Sequence, residues 1–362
     1  MADPVELATK KRRVDEFLDS HQLDALHLSL TGNLAWAACG GDLQVAGDSE
    51  AGIASLLLTR TRWYCLTDDI EADRLRSEVL PPGAFELVIH PWHDARAKSR
   101  GLRDLSAGLT VGSDTAHTDF LSFGRLLNLR APLTPAEVDR YRSLSRDAAA
   151  ALGSAARALR KGRSEREIAA SFAGPLTELG CRVPVALVAA DDRVAAYRHP
   201  LPTDRRVERY AMLVVCARRQ GLVASCTRLA SLVEVDPELA ARHSAVQGVD
   251  AALLRASTPG ATLGEALQAG IAAYTAAGHA DEWRRHHQGG LAGYFTRDAR
   301  AVPGDRTVIP AGAAVAWNPS IAGTKSEDTC LVTADGVEVL TVDSEWPVTE
   351  AGGLRRPGIL RV

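Results

Sequence analysis

The residues best suited to chemistry fall late in a chain of 362 residues. Residues 316–336 read AWNPSIAGTKSEDTCLVTADG, with Asn318, Lys325 and Glu327 set among apolar neighbours. If Ala322 and Gly323 form a two-residue hairpin turn, Gly supplying an easily reached positive φ, then Ile321 faces Thr324 and Asn318 falls opposite Glu327. Directly opposed side chains share one face, with Cβ atoms about 4.5–5.5 Å apart. Lys325 lies on that face with Ser320 opposite it, so its ammonium keeps Glu327 ionised and offers donors to an oxyanion.

The same alternation applies to residues 213–229, LVVCARRQGLVASCTRL. A turn near Arg219 and Gln220 opposes Val214 to Ser225 and puts Cys216 and Thr227 on their face, with Cys226 and Arg228 turned away. This floor is small and largely apolar, which leaves room for a ligand. Cys216 reads as a buried inert thiol. His286 and His287 are adjacent. On a strand they point to opposite faces, so only one enters a given cleft, and His286 shares its face with Gln288. Arg297, past Tyr294, suits a ligand carboxylate through bidentate pairing. Trp317 alternates with Asn318 and belongs against helices on the other face.

These side chains need two kinds of scaffold. The first third alternates a helical pattern at residues 6–23 with strand patterns at 25–30, 53–59, 63–67, 85–92 and 109–114, and a helical one at 69–80. That predicts an α/β domain over residues 1–131. A proline-containing link leads into residues 132–362, where Thr134 caps a long helix with Pro135 at its first position. Ser164 and Glu167 form a second capping signal. Two further helices over 237–257 and 262–278 predict an α+β domain with helices on one side of a curved, mostly antiparallel sheet.

Composition limits the partners. The net charge of -3 gives no global basic field for nucleic acid. No run of about 18 apolar residues spans a bilayer, and the basic amino-terminal segment lacks the apolar core of a signal peptide, so the expected location is cytoplasmic. Six scattered cysteines, with no C-x-x-C pair, read as reduced buried thiols.

The chain resembles the creatinase, prolidase and aminopeptidase P family over essentially its whole length. The resemblance rests on RVDEFLDSHQLDALHLSLTGNLAWAACG, similar to the family's helix, strand and Asn-centred turn, and on LRKGRSEREIAASF, HPLPTDRRVERYAMLVV, QGLVASCTRL, HHQGGLAGY and IPAGAAVAWNPSIAGTKSEDTCLVTADGVEVLT, in that order. It implies a pita-bread fold for the second domain, and a homodimer in which Trp36 marks a partner-facing edge.

The family's metallo-members hold two divalent ions with two Asp, one His and two Glu, which activate water. Here those positions carry Val214, Ser225, Gly290 and Asn318, and only Glu327 survives. The resemblance therefore implies no metal and no other cofactor. It places His286 and Gln288 in the former metal cleft and Arg297 where another family histidine stands. His199, in Arg198-His199-Pro200, matches a substrate-shell histidine, and in metal-free creatinase a histidine in a His-x-Pro context is the general acid/base.

The expected activity is a metal-independent, creatinase-like hydrolase or lyase acting on a C–N bond of a small, carboxylate-bearing molecule. His199 and Glu327 would be catalytic. His286, Gln288, Asn318, Lys325, Arg297, Tyr294 and Ser225 would bind substrate. Two alternatives stand beside it: a non-catalytic binder of a small molecule or peptide on the same scaffold, and a metal-dependent Xaa-Pro-type peptidase.

Overall fold

Asp3 opens the first helix, Pro4–Ser20, its carboxylate accepting from the Val5 N–H at 2.9 Å with proline at the first position. This is a computed structural model describing residues 3–362. The helix buries Glu6, Lys10, Val14 and Leu18, a stripe at four-residue spacing. Lys10 is wholly buried because its ammonium is fully engaged. It donates to Glu6 Oε1 at 2.6 Å and to the Trp36 carbonyl at 2.6 Å, and it pairs with Glu137 Oε1 at 2.9 Å.

The chain divides into two units, Met1–Glu137 with Gln220–Leu222, and Val138–Arg219 with Val223–Val362. The first carries a six-stranded sheet in the order Glu86–His90, Trp63–Asp68, Ala51–Thr59, Ala25–Leu30, Val111–Ser113, Leu121–Ser122. Its central pairings are antiparallel and its outer ones parallel. Ala25, Leu57, Leu66 and Val111 meet Leu102 of a covering helix in the core. The five expected strands are present. The expected helix at 69–80 is an α-turn, Ala72–Arg74, running into a π-helix, Leu75–Val79. Pro81 and Pro82 end it, since proline cannot continue the ladder.

Two expectations for this unit are corrected. The Asn-centred turn is a short helix, Thr31–Ala37, in which Asn33 donates to Asp114 Oδ2 at 2.9 Å. Trp36, expected at a partner-facing edge, is fully buried under Lys10.

In the second unit the capping signals are realised. Ser164 and Glu167 bond reciprocally at the start of Glu165–Glu178, and Thr262 and Glu265 do so at the start of Leu263–Ala276. Instead of one sheet there are two. The first runs Ile359–Arg361, Leu222–Ser231, Tyr210–Arg219, Arg182–Ala190. The second runs Ala299–Arg300, Gly289–Ala292, Ala314–Trp317, Asp328–Thr333, Gly336–Val339. Where Leu222–Ser231 meets Asp328–Thr333, a side chain replaces ladder bonds. Thr329 Oγ1 accepts from Ser225 N at 2.8 Å and donates to the Ser225 carbonyl at 3.0 Å, while Thr227 N donates to the Glu327 carbonyl at 3.1 Å.

Helix Pro237–Ala256 packs on Leu263–Ala276 and on the strands leading into the 320–325 hairpin. Trp317 is buried, its indole donating to Ser257 Oγ at 2.8 Å. No helix among the described residues is long and apolar enough to cross a membrane.

Lys10 generates a stability test. In Lys10→Ala the carboxylates of Glu6 and Glu137 lose their shared cation while remaining buried. Breaking a buried pair in this way costs about 3–5 kcal/mol. Denaturant unfolding, followed by a probe in the first unit, is expected to show a loss of that size.

Candidate functional site

Glu327 is the centre of the site. It is 2% exposed, and both oxygens are occupied: Oε1 accepts from Arg297 Nη2 at 2.7 Å, and Oε2 accepts from Lys325 Nζ and Thr227 Oγ1, each at 2.7 Å. Burial favours the neutral acid. The ammonium of Lys325 and the guanidinium of Arg297 outweigh it and hold the carboxyl far below the ordinary carboxylate range.

The hairpin that delivers Lys325 has the expected register, Ser320 facing Lys325 and Ile321 facing Thr324 around Gly323 at φ 89°. Trp317 pairs with Asp328, which keeps Asn318 in line with Glu327 although the ladder breaks between the two hairpin segments. Arg297 differs from its expected role. It donates to Glu327 and to Ser225 Oγ at 3.2 Å, so it serves the buried carboxylate before any ligand.

The register of Tyr210–Arg219 against Leu222–Ser231 is also corrected. Gln220 and Gly221 both have positive φ, 51° and 80°, and form the two-residue turn. Cys216, rather than Val214, therefore faces Ser225, whose hydroxyl donates to Cys216 Sγ at 3.3 Å. Face parity survives a shift by an even number of residues, so Thr227 still reaches Glu327. Ser225 is fully buried and bonded to Arg297 and Cys216, and it lies outside the cavity lining.

The histidines depart furthest from expectation. Residues 286–288 follow a short 3₁₀ turn, Glu282–Arg285, and precede the strand Gly289–Ala292, so strand alternation does not govern them. His286 and His287 both approach His199, with one ring nitrogen of each of the three within 4.8 Å of the others. His286 Nε2 stands 3.1 Å from His199 Nε2, His286 Nδ1 stands 3.1 Å from Ser320 Oγ, and Asn318 Nδ2 donates to His286 Nε2 at 3.4 Å. An amide nitrogen only donates, so these partners assign the proton of His286 to Nδ1, facing Ser320. His199 then donates through Nε2 and keeps Nδ1 as its basic nitrogen.

Gln288 is turned away. Its Oε1 accepts from the Tyr274 hydroxyl at 2.9 Å and its amide nitrogen donates to the carbonyls of Trp283 and His286, which makes it a structural brace. Tyr294 is buried and outside the cavity lining.

A cavity of about 280 Å³ opens here, floored by Val185, Leu187, Val214 and Cys216 and walled by His199, His287, Thr296, Arg297, Arg300, Asn318, Lys325 and Glu327. Three cations face it against one carboxylate. Asn318 is 2% exposed, and its Oδ1 has no hydrogen-bond partner. The imidazoles respond to this field. Partial burial lowers the pKa of His199, with Lys325, Arg297 and Arg300 adding to the effect. Burial, then Lys325, pushes His286 down to about 2, and burial, then Arg297, pushes His287 down to about 4. All three are neutral near pH 7. His287 and Arg300 carried no signal in the sequence, because their placement depends on how the chain leaves its strands.

The five positions that hold metal in the resembled enzymes do not form such a site in this chain. Val214 has no ligating atom, and Glu327 has no oxygen to spare. A Cβ on Gly290 would meet the Ala299 carbonyl oxygen at 2.3 Å, so the backbone there excludes any side chain, histidine included.

Comparison with known proteins now places the chain. The model of metallopeptidase family M24 matches residues 139–334, and the chain belongs to that family, whose members are mostly hydrolases. The fold is similar to prolidase from Pyrococcus horikoshii OT3, at 18% identity and a TM-score of 0.76 over 92% of this chain and 98% of that one. It is equally similar to Xaa-Pro dipeptidase from Bacillus anthracis, at 18% identity and 0.76 over 98% and 100%. A third similar structure is the N-terminal domain of FACT complex subunit SPT16 from Cicer arietinum, at 13% identity and 0.72 over 93% and 96%. The second unit thus has the pita-bread fold expected from the sequence. No curated protein matches the chain by sequence.

The depressed imidazoles imply a pH dependence of stability. An unfolded histidine titrates near 6.5, whereas folded His286 and His287 stay neutral to about 2 and about 4. Below about pH 6.5 the unfolded chain binds more protons, so their contribution is complete above that pH and is lost as pH falls towards about 4. The melting temperature is expected to drop between pH 7 and 5.5, where most carboxylates remain ionised, and His287→Gln is expected to flatten that drop.

Proposed function

We propose that this chain is a metal-independent hydrolase or lyase, creatinase-like in type, acting on a C–N bond of a small, carboxylate-bearing molecule by proton transfer at His199. The observation that carries the reading is the His199–His286–Ser320 chain at the rim of a cationic cavity. It orients His199 with Nε2 donating and Nδ1 basic, and partial burial, reinforced by the nearby cations, keeps the imidazole neutral and able to accept a proton near pH 7.

The other residues take supporting roles. Arg300 and Lys325 supply positive charge for a ligand carboxylate, and neutral His287 supplies a ring N–H donor. Asn318 Oδ1 is an acceptor for a ligand N–H, the group a C–N bonded substrate presents. Glu327 acts as charge partner to Lys325 and Arg297, because its filled oxygens leave none to orient water. Val214 and Cys216 line the apolar floor under the ligand.

A second reading, a non-catalytic binder in the same cavity, draws support from Glu327, whose filled oxygens leave no carboxylate free to activate water. The two separate by experiment. A metabolite screen read by thermal shift identifies the ligand, since bound ligand stabilises by RT ln(1 + [L]/Kd). The proposed enzyme then turns that ligand over with chelator present. His199→Ala is expected to lose activity by about 10²–10⁴-fold while still binding. Full turnover by His199→Ala would refute the assignment, and binding without turnover in the wild type would favour the second reading.

A further inference from the structure

We propose that His199, His286 and His287 form a mononuclear site for a nitrogen-preferring divalent ion of the zinc, copper or nickel type, separate from the five family metal positions. The geometry is close to what such an ion needs. Ligand nitrogens around a tetrahedral ion with bonds of about 2.0–2.1 Å stand roughly 3.3 Å apart. His199 Nε2 and His286 Nε2 are already 3.1 Å apart, and each of the three imidazoles brings one ring nitrogen within 4.8 Å of the others. The third imidazole has on the order of an ångström to travel to reach the tetrahedral spacing.

Local structure permits that movement. His287 Nδ1 is buried without a hydrogen-bond partner. His199 is exposed on the irregular segment between the helix Asp192–Ala196 and the strand Tyr210–Arg219. Its imidazole can turn without breaking regular structure. His286 is the fixed member, held by Ser320 through Nδ1, and its Nε2 exchanges the long Asn318 amide contact for the ion.

The charged groups facing the cluster are Lys325, Arg297, Arg300 and Glu327. Their cationic excess opposes a bare dication, so an anion takes the fourth position. The three-imidazole donor set disfavours Mg²⁺ and Mn²⁺, which prefer oxygen and gain less from nitrogen.

Binding has a consequence for His199. An ion on Nε2 needs a lone pair there, so the His199 proton moves from Nε2 to Nδ1 with no net proton release. Nδ1 then no longer accepts a proton. On the reading of His199 as the acid/base, which this consequence rests on, the ion is an inhibitor that chelator removes. Binding itself does not depend on that reading.

Isothermal titration of the full chain with zinc chloride, magnesium chloride and manganese chloride at neutral pH tests the site. Zinc is expected to bind at one equivalent, and His199→Ala and His287→Ala, each checked for native circular dichroism, are expected to weaken it by about tenfold or more. Loss of the bound equivalent in the double variant completes the case. No zinc binding, zinc affinity unchanged in the double variant, or equal affinity for magnesium or manganese would overturn the site. Those outcomes leave turnover by His199 untouched, whereas turnover that survives one bound zinc would count against His199 as the base and not against the site.

Discussion

The second unit depends on one buried carboxylate and the cations that share it. Glu327 has no water to solvate it, and an uncompensated charge at that depth costs several kcal/mol. Lys325, Arg297 and Thr227 meet it from a hairpin, an irregular segment and a facing strand, so its compensation requires all three to be in place. Losing any one removes a charge-assisted hydrogen bond from a buried carboxylate, which couples the hairpin tip to the junction of the two sheets. A second buried set lies alongside, where Arg356 pairs with Asp250 at 2.5 Å and with Asp328 at 2.8 Å, and Arg228 pairs with Asp328 at 3.0 Å. Glu327, just before the strand, and Asp328, its first residue, thus serve different buried charge sets.

The same arrangement explains the character of the cavity. A family built to hold two dications needs surplus carboxylate, and this chain has the reverse: cations around a single acid. Burial, reinforced by this surplus positive charge, depresses the imidazoles and keeps them neutral. Gly290 shows that the change reaches the backbone, since the strand Ala299–Arg300 closes over the place where a histidine would sit.

Much of this was legible in the sequence. The hairpin around Ala322 and Gly323, the contact between Lys325 and Glu327, and the face shared by Val214, Cys216, Ser225 and Thr227 follow from two-residue turn geometry and strand alternation. The helix caps at Ser164 and Thr134 follow from local hydrogen bonding. Family and fold were legible as ordered motifs. The errors arose where alternation was carried past the end of a strand. Alternation points His287 away from the cleft and Gln288 into it, yet residues 286–288 belong to no strand and obey no two-residue period. The turn at Gln220 and Gly221 lies one residue later than the sequence suggests, because Gln at positive φ is uncommon and sequence gives little warning of it.

By itself, then, the sequence determined which groups are present and which local pairs they form. It set Val214, Ser225, Gly290 and Asn318 at the positions the family resemblance assigns to metal, put a lysine two residues from Glu327, and set the periods that decide faces within strands. Tertiary structure alone decided the encounters between segments: Arg297 with Glu327, His199 with His286, and His287 turned inward. Alternation and capping act within a few residues through fixed backbone geometry. A buried charge or a hydrogen-bonded imidazole instead takes whichever distant partner the packed sheets bring within about 3 Å, and no local period encodes that choice.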